Sequence, residues 1–262
     1  MAAPPDFTDL RLQKLQALAM RHEIRPDWVV KLRQLENFSI VMICDDSGSM
    51  NTVVRQPSVR TMNPYGRNPT RWDELMGTAS LILDVASTLS NEGLDLYFLN
   101  RPPIFKCTGA EQIQSAFAYS PPSGYTPLVP SVQQVFQNKR DQILERKLLL
   151  IIATDGQPTD MQGNVQIANF IQTLKNKHKN VHVSILACTD DDASVAYLND
   201  VDRDVPNVDV SDDYSSEKKE VLRAQGSNFH FTYGDYVVKA LLGSVDPYFD
   251  QLDAQPGCCT IV

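Results

Sequence analysis

The sequence predicts an α/β fold, a doubly wound and mostly parallel six-stranded sheet with helices on both faces and one antiparallel edge strand. Three observations carry that expectation. Strand-length apolar runs recur, among them Phe38–Cys44, Lys147–Ala153 and Val181–Cys188, as suits strands covered on both faces. Amphipathic helical segments alternate with them over most of the chain. Two of the runs stop abruptly in a carboxylate-bearing turn, Asp45-Asp-Ser-Gly after the first and Thr154-Asp-Gly after another. Open α/β sheets place their ligand crevices at such strand ends.

From Phe7 to Met20, Leu10, Leu12, Leu15, Leu18 and Ala19 keep an approximately helical period. A second helix begins near Pro26-Asp27 and runs through Trp28, Val29, Leu32 and Leu35. This hairpin is expected to pack its Leu/Trp face against the sheet and cover an edge. Asn51–Thr70 lacks periodicity and holds Pro57, Pro64, Gly66 and Pro69, so it reads as a long loop, a kind that is commonly functional or disordered. Its Arg55, Arg60 and Arg67, with Arg71 close behind and no acidic residue before Asp73, form a positive lip in an acidic protein.

Trp72–Leu89 is an amphipathic helix, Leu94–Leu99 a strand, and Ile104–Cys107 a short strand. The Arg-Pro-Pro turn before that last strand makes it an antiparallel edge. The turn-rich stretch Tyr119–Leu128 leads into a helix with Pro127 near its start, so Thr126 stands where an N-cap often sits. Lys147–Ala153 is a strand, Asn164–Leu174 a helix and Val181–Cys188 a strand. Ser194–Val201 and Glu217–Arg223 are helices, Asn228–Thr232 the final strand and Tyr236–Phe249 the last helix. Asp200-x-Asp202-x-Asp204 has the opening spacing of a calcium loop, but Val205 and Ser211 occupy the positions that need Gly and the bidentate Glu, so no EF-hand is expected.

Composition narrows the function. With 262 residues, 42% of them hydrophobic and 21% charged, the chain is long enough for one large α/β domain with a sizeable core. A formal net charge of −8 argues against a nucleic-acid partner. The first residues carry no secretory pattern and no stretch approaches the roughly 18 apolar residues needed to cross a bilayer, so a cytoplasmic location is expected. The five cysteines and the four histidines, His22, His178, His182 and His230, show no zinc-type spacing.

Asp45, Ser47 and Ser49 are spaced i, i+2, i+4, and in a tight loop such side chains converge on one point. One carboxylate and two hydroxyls, without imidazole or thiolate, suit a hard divalent cation and need further oxygens from elsewhere in the chain. The same residues also suit a polar turn in which they only cap backbone groups. Thr126 and Asp155 stand at two other loop or strand ends with matching chemistry.

The order, spacing and strand context of Asp45-x-Ser47-x-Ser49, Thr126 and Asp155 resemble the von Willebrand factor A domain and its metal-ion-dependent adhesion site, over about Phe38 to Phe249. The resemblance implies a Rossmann-like fold in which Ser47 and Ser49 coordinate the cation directly, and Asp45, Thr126 and Asp155 do so directly or through water. It implies Mg²⁺, with Mn²⁺ or Ca²⁺ as alternatives, and one position left for an exposed Asp or Glu of a partner protein. Asp46 fills the variable position and has no ligand role. The arginines Arg55, Arg60 and Arg67 are expected to read the partner's surface.

The function expected is a cytosolic adaptor or scaffold rather than an enzyme. The alternative, metal-dependent phosphate transfer or hydrolysis, lacks the Asp-x-Asp of an aspartyl-phosphate nucleophile, a phosphate loop and a Gly-x-Ser-x-Gly elbow. At the C-terminus, Cys259 stands fourth from the end with Ile261 aliphatic, which resembles a prenylation box with Cys258 as a second lipidation candidate. That resemblance implies attachment to the cytosolic face of a membrane through lipid. The organisation expected is a helical hairpin extension over 1–37, the main domain over 38–250 and a flexible tail over 251–262.

Overall fold

The computed structural model describes residues 7–55 and 68–254. Its centre is built from the apolar runs, which form β1 (Phe38–Cys44), β2 (Leu94–Phe98), β3 (Ile104–Cys107), β4 (Lys147–Thr154), β5 (Val181–Ala187) and β6 (Val208–Ser211). They make one sheet in the order β3-β2-β1-β4-β5-β6, parallel throughout except for β3, which runs antiparallel to β2. Every residue of β1 and β5 is buried, as strands covered on both faces require.

The helices are α1 (Phe7–Arg21), α2 (Pro26–Leu32), α3 (Arg71–Leu89), α4 (Ala110–Ala118), α5 (Leu128–Asn138), α6 (Arg140–Glu145), α7 (Ile167–Lys175), α8 (Asp192–Val195), α9 (Leu198–Asp204), α10 (Tyr214–Gln225), α11 (Tyr233–Leu242) and α12 (Pro247–Asp250). The two-residue alternation of β1 divides them into two layers. Ile40, Met42 and Cys44 belong to one buried cluster with α3, α11 and the N-terminal hairpin, while Val41 and Ile43 belong to another with α5, α7 and α9. The chain leaves β1 for β2 on one side and returns to β4 on the other. The strand order therefore reverses between β1 and β4, and a crevice opens beyond their carboxyl ends.

Several expectations change. The N-terminal hairpin does not cap a sheet edge: Leu15, Leu18, Trp28 and Leu32 are buried in the layer formed with α3 and α11. Contact there is close enough that a Cβ on Gly234 would stand 2.1 Å from the His22 carbonyl oxygen. Residues 228–232 are not a strand. Thr232 is the N-cap of α11, its hydroxyl accepting from Asp235 N at 3.0 Å while Asp235 accepts from Thr232 N at 3.0 Å. That reciprocal pair opens a helix. The sixth strand is instead β6, pairing with β5 from Val183↔Val208 to Leu186↔Ser211 inside a run whose acidic composition hid its apolar alternation.

The segment expected as one helix over Ser194–Val201 forms α8 and α9, and Asp200, Asp202 and Asp204 lie on a helix rather than a loop. The last expected helix breaks into α11 and α12, with Pro247 in the first turn of α12 and Asp246 capping it. Asn164 and Val165 belong to a hairpin ahead of α7, while α4 and α6 are helices that the periodicity did not announce.

Candidate metal centre

The β1–β4 pairing sets the two predicted carboxylates side by side. Asp45 N donates to Ala153 O at 2.9 Å, which prolongs the ladder one residue past β1. The chain then turns sharply. Ser47 N donates to Asp45 Oδ1 at 2.9 Å, and Gly48–Asn51 closes into a single 3-10 turn. From β4, the Thr154 hydroxyl donates to Asp45 Oδ2 at 2.6 Å. Both Asp45 oxygens thus hold the turn in place, and this carboxylate is fully buried.

The hydroxyls and the second carboxylate form a continuous line of oxygens. Ser47 Oγ and Ser49 Oγ are 3.0 Å apart, and Ser49 Oγ donates to Asp155 Oδ1 at 2.6 Å. Ser49 faces the open side, while Asp45, Ser47 and Asp155 are buried behind it. The Thr126 loop closes the third side through Gly48 N, which donates to Gly124 O at 3.2 Å. Thr126 is pinned by its backbone: its N–H donates to Thr159 Oγ1 at 3.0 Å and its carbonyl accepts from Thr159 N at 2.9 Å. The N-cap of α5 is Pro127 with no side-chain cap, so the Thr126 hydroxyl does not serve as the helix cap.

Charge is unevenly matched. Asp155 Oδ2 accepts from Arg71 Nη1 at 2.8 Å, and Arg71 Nη2 donates to Thr189 Oγ1 at 2.6 Å. Asp45 has hydroxyl and amide donors but, among the described residues, no ion-pair partner. Burial pushes its carboxyl up to about 6, the Asp155 charge adds to the rise, and the Ser47 and Thr154 hydrogen bonds oppose it. Among the described residues, the one guanidinium in contact with these two carboxylates is thus on Asp155, and its other end also lies 4.0 Å from Asp190. A hard divalent cation fits both that deficit and the donor set, which is entirely oxygen. Of the sequence-predicted donors, Asp45, Ser47, Ser49 and Asp155 are joined by hydrogen bonds, and Thr126 stands on the loop whose Gly124 carbonyl meets Gly48.

Asp46 points away from this line. Its Oδ1 accepts from Leu99 N at 3.0 Å and Asn100 N at 2.8 Å, and its Oδ2 from Arg101 Nε at 2.7 Å. Arg101 also donates to the carbonyls of Ala116 and Ser120. Asp46 therefore ties the turn after β1 to the end of β2 and to α4. Sequence reasoning assigned no role to Arg101 and did not find this anchor. It also grouped Arg71 with the arginines of the lip, whereas Arg71 is engaged by Asp155. Arg55 is exposed and lines a groove together with Arg71, Glu74 and Asp190, so the lip is mixed in sign. Arg60 and Arg67 lie outside the described residues, as do Cys258 and Cys259.

No protein-family model matches the chain, and no curated protein matches it in sequence. One solved structure to which it is similar is the manganese-loaded TRAP protein of Plasmodium vivax. The two share 14% identity with a TM-score of 0.46, over 70% of this chain and 71% of that one. The α/β fold class follows from the strand order and parallel register, without appeal to that likeness. A second acidic group, Asp202 on α9, Asp209 on β6 and Asp250 on α12, brings its carboxylate oxygens within 4.8 Å of one another. Burial pushes Asp209 up to about 7 against the pull of Lys239. No helix among the described residues is long and apolar enough to cross a membrane.

Proposed function

We propose that the chain is a divalent-cation-dependent protein-interaction module. Its metal is held by Asp45, Ser47, Ser49, Thr126 and Asp155, and an acidic side chain of a partner protein completes the coordination. The observation that carries this reading is the line of oxygens at the β1/β4 reversal, with Asp45 buried and without an ion-pair partner among the described residues. The resemblance to the von Willebrand factor A domain supplies the acidic partner. Mg²⁺ is the ion proposed, with Mn²⁺ or Ca²⁺ able to use the same oxygens.

The arrangement suits capture of a carboxylate. With the carboxylates buried and Ser49 foremost, an ion there keeps enough positive character to attract an external anion. Calorimetric titration with Mg²⁺ and Mn²⁺ is expected to show one binding event in the wild type and none in Asp45→Asn/Asp155→Asn. Equal heats from the two proteins would sink the assignment. Pull-down with and without EDTA tests the second half, since partner capture that EDTA leaves untouched would remove the metal from the interface.

A further inference from the structure

Beside Thr126 the β4–α7 connection forms a small hairpin, and its surface differs from the rest of the crevice rim. Thr159 and Val165 pair antiparallel, and Thr159 is hydrogen-bonded in both directions to the Thr126 backbone. The hairpin is internally fixed. Asp160 N donates to Asn164 O at 2.9 Å, and the Asp160 carboxylate accepts from Gln162 N, Asn164 N and Asn164 Nδ2 at 2.8–2.9 Å. Gly163, at φ +88°, lies against the Tyr125 ring, where a Cβ would come within 2.8 Å of a ring carbon. Only glycine suits that place, for both its dihedral angle and its contact.

Three large apolar side chains face solvent on this rigid platform: Tyr125 at 51% exposure, Met161 at 62% and Val165 at 56%. The hairpin carries one charged residue, Asp160, and that carboxylate is folded back onto its own loop. Across the crevice the rim is charged, with Arg55, Arg71 and Asp190 around one groove. Exposed apolar residues scattered singly need no explanation, but a cluster on a backbone tied to a candidate metal ligand marks a contact surface. Aromatic and Met side chains are also enriched at the centres of interfaces.

We propose that Tyr125, Met161 and Val165 form the specificity surface of the metal centre. The partner then presents its carboxylate within a residue or two of a large apolar side chain rather than inside an acidic run. This inference rests on the metal-dependent reading above and adds the chemistry of the partner's neighbouring residue. A carboxylate on the ion fixes one point of the partner chain, and the next side chains on the hairpin side meet an apolar surface whose one charge, Asp160, is negative. A second acid there would lose water without gaining a cation, whereas Leu, Met or Phe would gain apolar contact.

The test is selection of displayed random dodecapeptides on the wild-type protein, in Mg²⁺ and separately in EDTA. The expected result is a Mg²⁺-dependent consensus of an acid flanked within two positions by a large apolar residue. The tightest selected peptide is then measured on Met161→Ser/Val165→Ser, whose replaced side chains are exposed. Affinity is expected to fall about tenfold, as loss of roughly 55 Å² of apolar contact predicts, while Mn²⁺ binding by calorimetry stays unchanged. A Mg²⁺-dependent acid with polar neighbours, or an affinity that the double substitution leaves intact, would overturn the specificity surface and spare the metal reading. A consensus without acid, one indifferent to EDTA, or no enrichment at all would overturn both.

Discussion

Replacing Arg71 by Met separates the charge role of this residue from its place in the α3 helix, and the structure sets the size of the effect. The Arg71 side chain is 15% exposed and the Asp155 side chain 0% exposed, with Nη1 and Oδ2 2.8 Å apart. Removing one partner of such a pair leaves a buried charge uncompensated and costs about 3–5 kcal/mol. Here the loss is aggravated because Asp45 has no ion-pair partner among the described residues and stands close enough to feel the Asp155 charge. In EDTA, the melting temperature of Arg71→Met is expected to drop by about 6–20 °C, taking about 2–4 °C per kcal/mol for a chain of this size.

Excess Mg²⁺ should then return more stability to the variant than to the wild type. The ion would meet two carboxylates with no guanidinium beside them, and a ligand that binds only the folded state stabilises it by mass action. The readout is the difference between EDTA and Mg²⁺ melting temperatures in each protein, with Asp155→Asn/Arg71→Met as the control in which the unpaired charge is gone. The reasoning is refuted if Arg71→Met costs under about 1 kcal/mol in EDTA, or if Mg²⁺ raises both proteins equally.

Two further expectations concern the layer around α11. Lys239 is buried with its ammonium 3.0 Å from both Glu217 and Asp253, so Lys239→Met should cost about 3–5 kcal/mol by leaving Glu217 unpaired. Adding Glu217→Gln should restore more than half of that loss in urea titrations, and a double variant no better than the single would disprove the pairing. Asp209 is pushed up to about 7 by burial against the pull of Lys239 on α11, with Asp202 on α9, Asp250 on α12 and Asp253 beyond it adding to the rise. Because its folded value exceeds the unfolded one, the folded state holds its proton more tightly, and stability falls as pH rises from about 4 to about 7. Asp209→Asn should therefore gain about 3 kcal/mol relative to wild type between about pH 5 and pH 8, measured in EDTA. Parallel pH profiles of the two proteins would refute the shift.

What could be read from sequence follows from how local each signal is. The strands next to the crevice were legible because β1, β4 and β5 are apolar runs of strand length with polar turns after them, and nothing distant is needed to see that. β6 was not, because its four residues Val-Asp-Val-Ser owe their burial to neighbours in space: Asp209 lies under the start of Gly243, and Val208 and Val210 pair with β5. The expected strand over Asn228–Thr232 holds Phe229 and Phe231 at alternate positions. The Thr232–Asp235 spacing, which marks a helix start, outweighed that alternation.

The candidate metal centre divides along the same line. Asp45, Ser47 and Ser49 announce themselves because one short turn holds them, whereas the groups that complete their chemistry are far away in the chain: Thr154 is 109 residues from Asp45, and Arg71 is 84 from Asp155. A composition-based lip of arginines treats every guanidinium alike. The fold does not, because Arg71 begins α3, the helix packed under the crevice, where its side chain meets a buried carboxylate, while Arg55 remains on the surface. Among the described residues, therefore, one arginine that composition assigns to the surface instead serves a buried carboxylate, while Arg55 and Asp190 stay exposed on the groove beside it.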